Sequence, residues 1–155
     1  MANRLPSITI QGDRELKALL EQIPGALFKE CEQGIKAVAK PVIASARRRL
    51  KKGHGYLTGQ LKKSLGVRKI LKYPSEGKIV MYIGAREGFA TVSENGKKHD
   101  PARIAHLVEF GHKLATGGQV EEKPFLRPAI DEHRGTFSSV FADKIKKILE
   151  KRAGK

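Results

Sequence analysis

The hexapeptide Pro124-Phe125-Leu126-Arg127-Pro128-Ala129 constrains this chain more than any other stretch. Two prolines bracket an aromatic, an aliphatic and an arginine residue. A residue that precedes proline avoids the helical region, so Pro124–Arg127 is expected to be extended. Pro128 suits the first position of a helix, where its missing N–H costs nothing. Such a rigid, apolar piece is not an ordinary surface loop. Either Phe125 and Leu126 close the domain's own core, or they are anchors presented to a partner at small ordering cost. The hexapeptide ends a longer unit, Ile104–Asp131. That unit starts with Ile104–Gly111 and continues through the polar, Gly-containing loop 112–123.

The unit's first half reads as a capped helix. Asp100 is the expected N-cap, Pro101 the first helical residue and Gly111 the C-terminal cap. Ile104, Leu107, Val108 and Phe110 are expected to point inward. After Pro128, Ile130, Phe137, Phe141, Ile145, Ile148 and Leu149 mark the apolar face of a last long helix, with residues 150–155 as a fraying basic tail.

Upstream, Leu5–Gln11 alternates weakly and reads as a short edge strand, so residues 1–12 form an N-terminal strand or arm. Arg14–Gln22 has helical spacing until Pro24-Gly25 interrupts it. From Ala26 to Leu50 the period is helical, with Leu27, Cys31, Ile35, Val38, Val42 and Leu50 near one face. Pro41 is expected to kink that helix near Val38. Thr58 is a candidate N-cap for a short helix carrying Leu61 and Leu65, and Gly66 is expected to stop it. Val67–Tyr73 and Lys78–Ala85 read as two strands joined by a turn at Pro74–Gly77. Ile79, Met81 and Ile83 point one way and Val80 and Tyr82 the other, as in a central or helix-covered strand. Arg86–His99 is polar and reads as a loop or frayed hairpin. The sum is one α+β domain over residues 1–155: a small antiparallel sheet packed against two long helices, with short helices and a mobile loop at 112–123.

The charge balance narrows the function. With 31 Lys and Arg against 16 Asp and Glu, the formal charge is +15. That excess favours an acidic partner: nucleic acid, an acidic protein surface or an anionic membrane. It is concentrated between Gln33 and Ser75, where twelve Lys or Arg occur with no Asp or Glu. Arg47, Arg48, Arg49, Lys51, Lys52, Lys62 and Lys63 are the candidate residues for a phosphate backbone or an acidic subunit. No DNA-reading motif accompanies them and aromatic residues for stacking are scarce, so contact independent of base sequence is expected.

Other chemistry finds little purchase. Cys31 is the single cysteine, which excludes an intrachain disulfide and a cysteine-based zinc site. Its place on an apolar stripe predicts a buried, inert thiol. His106 and Glu109 stand at i, i+3, with His99 and His112 nearby, but this pattern is too common to define a metal site. Ser64, Ser138 and Ser139 lack a nucleophile-elbow context, and Gly117-Gly118 lacks the phosphate-loop spacing. No enzyme activity, cofactor or metal is expected. No secretory leader and no membrane span are expected either.

Four stretches occur in a fixed order: Tyr56-Leu57-Thr58-Gly59-Gln60-Leu61-Lys62-Lys63-Ser64-Leu65, Val80-Met81-Tyr82-Ile83-Gly84, Ala105-His106-Leu107-Val108-Glu109-Phe110-Gly111, and the Pro124–Ala129 hexapeptide. Each is weak alone. The ordered set resembles the tailed-bacteriophage neck and tail-completion family typified by gene product ten of lambdoid siphophages, and is akin to minor tail protein Z. The resemblance implies a structural virion protein of the head–tail junction without enzymatic activity. It implies a homo-oligomeric ring, sixfold or twelvefold, around the DNA channel. It also implies neighbouring neck and tail proteins as partners, and location in the virion after assembly in the host cytoplasm. By resemblance, Glu109, Phe110, Gly111, Phe125, Leu126, Arg127 and Pro128 belong to the family's framework or subunit interface. The chain departs from the pattern at His112, where a small hydroxyl residue is usual, and in the length of the loop that follows. The competing class is a nucleic-acid-binding module of non-viral kind, which would share the charge but not the ordered motifs.

Overall fold

The computed structural model describes residues 28–51, 59–73, 78–92, 95–96 and 98–153. The readings placed on Leu5–Gln11, Arg14–Gln22, Thr58, Lys52 and the Pro74–Gly77 turn lie outside these residues.

The long helix α1 (Phe28–Arg49) runs unbroken through Pro41. Its inner stripe is Cys31, Ile35, Val38, Ala39, Val42 and Ala46, continued by Leu50, all buried. This is the face that the three-and-four spacing marks. Gly34 on α1 lies against the last helix, where an added Cβ would come within 2.8 Å of the Phe141 ring. The missing side chain lets the two helices approach closely.

A single short turn of helix, α2 (Gln60–Ser64), precedes the main hairpin. Gly59 enters it with φ 71°, a conformation glycine adopts without steric cost. The helix stops at Ser64 rather than at Gly66, because Leu65 already opens strand β1 (Leu65–Tyr73). Strand β2 (Lys78–Ala85) pairs with β1 antiparallel. The inward pairs are Leu65 with Ala85, Val67 with Ile83, and Ile70 with Met81. Val67 and Ile70 are three residues apart, yet both pack on the core, because the register shifts between Val67 and Lys69. The bulge at Arg68 resets the alternation and points that arginine out. Among the described residues β2 pairs only with β1. Its apolar inner face is covered by helix rather than flanked by further strands: β2 packs on α1 and on the helix that follows.

Beyond β2, the two-residue strands β3 (Thr91–Val92) and β4 (Lys98–His99) form a minimal antiparallel pair, the frayed form of hairpin expected there. Helix α3 (Pro101–Phe110) has the expected ends: the Asp100 carboxylate accepts the Ala102 amide at 3.0 Å, and Gly111 follows with φ 67°. Its buried face differs from expectation. Pro101, Ala105 and Glu109 are the buried residues, while Ile104, Leu107 and Phe110 are half-buried and Val108 packs partly on the core. The buried stripe Pro101, Ala105 and Glu109 thus ends in a carboxylate, where apolar counting predicts hydrophobic residues.

Residues 112–123 are more ordered in pattern than a plain loop. Strands β5 (His112–Lys113) and β6 (Gln119–Val120) pair antiparallel, and the Leu114 amide bonds the Gly118 carbonyl at 2.9 Å. The segment is a short hairpin with glycines at its tip. The last helix is two helices, α4 (Arg127–Arg134) and α5 (Phe137–Ala153). Gly135 and Thr136 separate them in a turn where the Thr136 amide and hydroxyl both bond the His133 carbonyl. Phe137 and Phe141 are buried against α1, Ile145 packs partly on that core, and Leu149 is exposed, contrary to its expected inward place. Helical backbone continues through residues 150–153, the start of the stretch expected to fray.

The molecule is thus α+β: a small antiparallel sheet with two long helices, α1 and α5, packed together.

Candidate assembly site

Glu109 sits on α3 one residue before the helix ends at Phe110 and is nearly fully buried. Its carboxylate faces the Pro124–Ala129 hexapeptide. Oε2 accepts the amides of Phe125 and Leu126, each at 2.9 Å, and Oε1 accepts the amide of Arg127 at 2.8 Å. The Arg127 guanidinium folds back over the same group. Its Nε donates to Oε1 at 3.3 Å, and its Nη2 donates to the Glu109 carbonyl at 3.1 Å and to Glu122 at 2.7 Å. The guanidinium also lies over the Phe110 ring, 4.8 Å from its centroid. Its pKa is raised, first by the hydrogen bond to Glu122 and further by that to Glu109, so the charge is fixed.

This arrangement explains two departures from the sequence reading. Leu126 has helical dihedrals, φ −92° and ψ −46°, and α4 begins at Arg127 ahead of Pro128. The bias of pre-proline residues toward extended backbone yields to three charge-assisted hydrogen bonds on successive amides. Helix α4 has no local side-chain cap, so a carboxylate from α3 serves that end instead. Phe125, 1% exposed, and Leu126 close the domain's own core, which decides between plug and presented anchor. Both Glu109 oxygens are engaged by amides, so the His106–Glu109 pair has no metal-ligand geometry, and no cluster of three metal-binding side chains exists among the described residues. Cys31 is buried, and burial followed by the Glu30 charge pushes its thiol pKa up.

Gly111 joins this centre to the β5–β6 hairpin. A Cβ there would stand 2.5 Å from the Val120 carbonyl oxygen and 2.8 Å from the Glu122 amide. The Lys123 amide donates to the Val108 carbonyl at 2.9 Å. The base of the hairpin is therefore held by backbone contact on one side and by the Arg127–Glu122 pair on the other.

The cationic stretch separates into two populations. Arg47 donates from Nη2 to the Leu65 carbonyl at 2.7 Å and ties α1 to β1. Arg49 pairs with Glu132 of α4 at 3.0 Å, and Arg48 stands 3.7 Å from the same carboxylate. Ser45 also donates its hydroxyl to Glu132. That hydrogen bond, then the one from Arg49, lowers the pKa of Glu132. Together with Lys51 and Pro124 these groups line an open depression of about 430 Å³ at the C-terminal end of α1. Lys36 and Lys72 share Glu32, at 2.8 and 2.6 Å, and hold its pKa down to about 2. The stretch without acidic residues in sequence is therefore partly neutralised in space by Glu32 and Glu132, which lie outside it.

Lys62 and Lys63 on α2, with Arg68 and Lys69 on β1, form the other population. All are exposed and none has an ion-pair partner among the described residues. Of the residues singled out from sequence, Lys62 and Lys63 remain available to an outside polyanion, and so does exposed Lys51. Arg47 and Arg49 serve the fold. Neither the Glu132 junction nor the role of Glu122 is visible in the sequence, because each joins elements whose approach only the tertiary structure defines.

No helix among the described residues is long and apolar enough to cross a membrane. Compared with known proteins, the chain matches no family model, no curated protein and no solved structure.

Proposed function

We propose that the chain is a structural protein of the tailed-phage head–tail junction, a neck or tail-completion subunit that assembles as a sixfold or twelvefold ring around the DNA channel and has no catalytic role. Neighbouring neck and tail proteins are its partners, and it acts in the virion after assembly in the host cytoplasm. The reading rests on the ordered motif set. The observation that carries it is that the described parts of all four motifs contribute to one core, through Leu61 and Leu65, Met81 and Ile83, Ala105, and Phe125, Leu126 and Ala129. The Glu109 carboxylate then joins the third motif to the fourth.

The test is genetic. Removing the reading frame from the phage genome that carries it is expected to leave DNA-filled heads and free tails unjoined, with rescue by the protein supplied in trans. Normal particles in its absence would remove the reading.

A second reading, a sequence-independent nucleic-acid-binding module of non-viral kind, draws on one observation: the exposed Lys62, Lys63, Arg68 and Lys69 without acidic partners among the described residues. Reading frames for portal, capsid and tail-tube proteins beside this one favour the first reading, and their absence favours the second.

A further inference from the structure

Arg86 has the setting of an ion-pairing arginine without a carboxylate in it. It follows the last residue of β2, and its amide donates to the Ser64 carbonyl at 3.0 Å. Its Nε donates to the same carbonyl at 3.2 Å. The side chain lies across Gly66, where an added Cβ would stand 2.7 Å from Nε and 3.2 Å from Cζ. The guanidinium is also 5.1 Å from the centroid of the Phe89 ring. These contacts fix the group, yet Arg86 is exposed and neither Nη has a hydrogen-bond partner among the described residues. Glu87, next in sequence, forms no ion pair with it. Arg127 shows the same parts complete: Nε bound, an aromatic ring under the guanidinium, and Nη2 on the Glu122 carboxylate. Other cations likewise gather on an acid, Lys36 and Lys72 on Glu32, Arg48 and Arg49 on Glu132.

Two more cations share that face. Gly66 stands opposite Gly84, between the inward pairs Leu65–Ala85 and Val67–Ile83, so the Arg86 side chain that crosses Gly66 lies on the outer face of the sheet. Arg68 is two residues from Gly66, roughly 7 Å along the strand. The register shift after Val67 leaves Arg68 outward and turns Lys69 outward as well, opposite Tyr82, before Ile70 turns in against Met81. In a regular strand these two neighbours would point to opposite faces, so the bulge is what sets two basic side chains beside Arg86. Arg68 and Lys69 are exposed and have no ion-pair partner among the described residues.

We propose that Arg86, Arg68 and Lys69 form a contact site for the phosphates of a nucleic-acid backbone, with the unpaired Nη groups of Arg86 donating to phosphate oxygens. A guanidinium held by its Nε presents its two Nη groups as a fork, the geometry that meets phosphate with two parallel hydrogen bonds. A nucleic-acid strand supplies one such charge at every nucleotide, which suits cations set in a row. An acidic protein would instead have to gather several mutually repelling carboxylates on one patch. Contacts of this kind fix position on the backbone and read no base sequence. The inference deepens the proposed function by assigning the surface that meets DNA, and it rests on that reading for DNA as the nucleic acid at hand.

The test is binding of the full chain to a short mixed-sequence DNA duplex, followed by fluorescence anisotropy over a series of salt concentrations. The slope of log binding constant against log salt is expected to fall by about 0.9 in Arg86→Gln, the loss of one phosphate contact. Arg68→Gln is expected to do the same. Lys146→Gln removes an equal charge from the exposed side of α5 and is expected to leave the slope unchanged. Thermal melting checks that each variant is folded. Arg68 makes no hydrogen bond or ion pair among the described residues, so Arg68→Gln carries the test if Arg86→Gln unfolds. An equal change in slope for Lys146→Gln and the two arginine variants would reduce the effect to net charge and overturn the inference. So would wild-type slopes in both arginine variants, or no binding of duplex by the wild type. Binding of polyglutamate but not duplex, lost in Arg86→Gln, would overturn it in favour of an acidic protein. The head–tail reading fails separately, through particles that join normally without the protein.

Discussion

Arg127 meets Glu109 three times: through its amide at 2.8 Å, its Nε at 3.3 Å and, from Nη2, the Glu109 carbonyl at 3.1 Å. Two residues 18 apart in sequence thereby fix the distance between the end of α3 and the start of α4. The β5–β6 hairpin is the chain between them, so its ends are fixed by the same contact. A buried carboxylate that meets three amides and a guanidinium is satisfied, and the cost of removing it from water is offset locally.

Removing that carboxylate is expected to be severe. Glu109→Ala leaves the Phe125, Leu126 and Arg127 amides without their acceptor and opens a void. The expected loss is about 3–5 kcal/mol in chemical denaturation. Glu109→Gln keeps the shape but turns an N–H₂ toward at least one donor, with an expected loss of roughly 2–3 kcal/mol. A loss under about 0.5 kcal/mol for both would show that the cap contributes nothing, since that is the scatter of ordinary surface substitutions.

Gly111→Ala combines φ 67° with a Cβ 2.5 Å from the Val120 carbonyl. Backbone on both sides leaves no flexible neighbour to yield. The expected cost is about 1–3 kcal/mol, with faster proteolysis between residues 112 and 123 as the hairpin base shifts. Melting temperature and digestion rate unchanged from wild type would contradict this.

Acid sensitivity should map partly to Glu32. Its folded pKa is depressed to about 2 from an ordinary 4.5, chiefly by hydrogen bonds from Lys36 and Lys72. A depressed carboxylate stabilises the fold above its unfolded pKa and loses that contribution as pH falls through the folded value. The melting temperature is therefore expected to decline between about pH 4.5 and pH 2. In Glu32→Gln this part of the slope flattens, and identical pH profiles for the two proteins would remove the assignment.

The two cationic populations should behave differently. Reversing Lys62 and Lys63 to Glu is expected to leave melting unchanged. If that surface faces DNA, the slope of log binding constant against log salt concentration falls by about 2, one unit for each phosphate that a lysine no longer neutralises. Arg49→Glu, which sets two carboxylates together at Glu132, is expected to lower the melting temperature. An unchanged salt slope for the lysine reversals would remove DNA as the partner of that surface.

Much of the architecture is legible from local rules. The apolar period locates α1, and the ends of α3 agree with Asp100, Pro101 and Gly111 because those signals act within one turn. Both strands of the main hairpin are visible, while the Arg68 bulge is not, since alternation alone does not show where a register slips. The break between α4 and α5 escapes sequence reasoning because Ile130 and Phe137 keep the helical phase across Gly135. At the site, the motifs single out Glu109 and Arg127 but do not show the contact between them. A lone carboxylate on a helix gives no sign that it is buried until the amides of another segment approach it. Likewise a run of arginines looks like free surface until Glu132 arrives from a distant helix.

The central claim is location and assembly at the head–tail junction, and electron cryo-microscopy of intact particles tests it most directly. The account predicts a closed ring of this chain between head and tail, coaxial with the DNA. Joined particles with no density for the chain at that junction would contradict it.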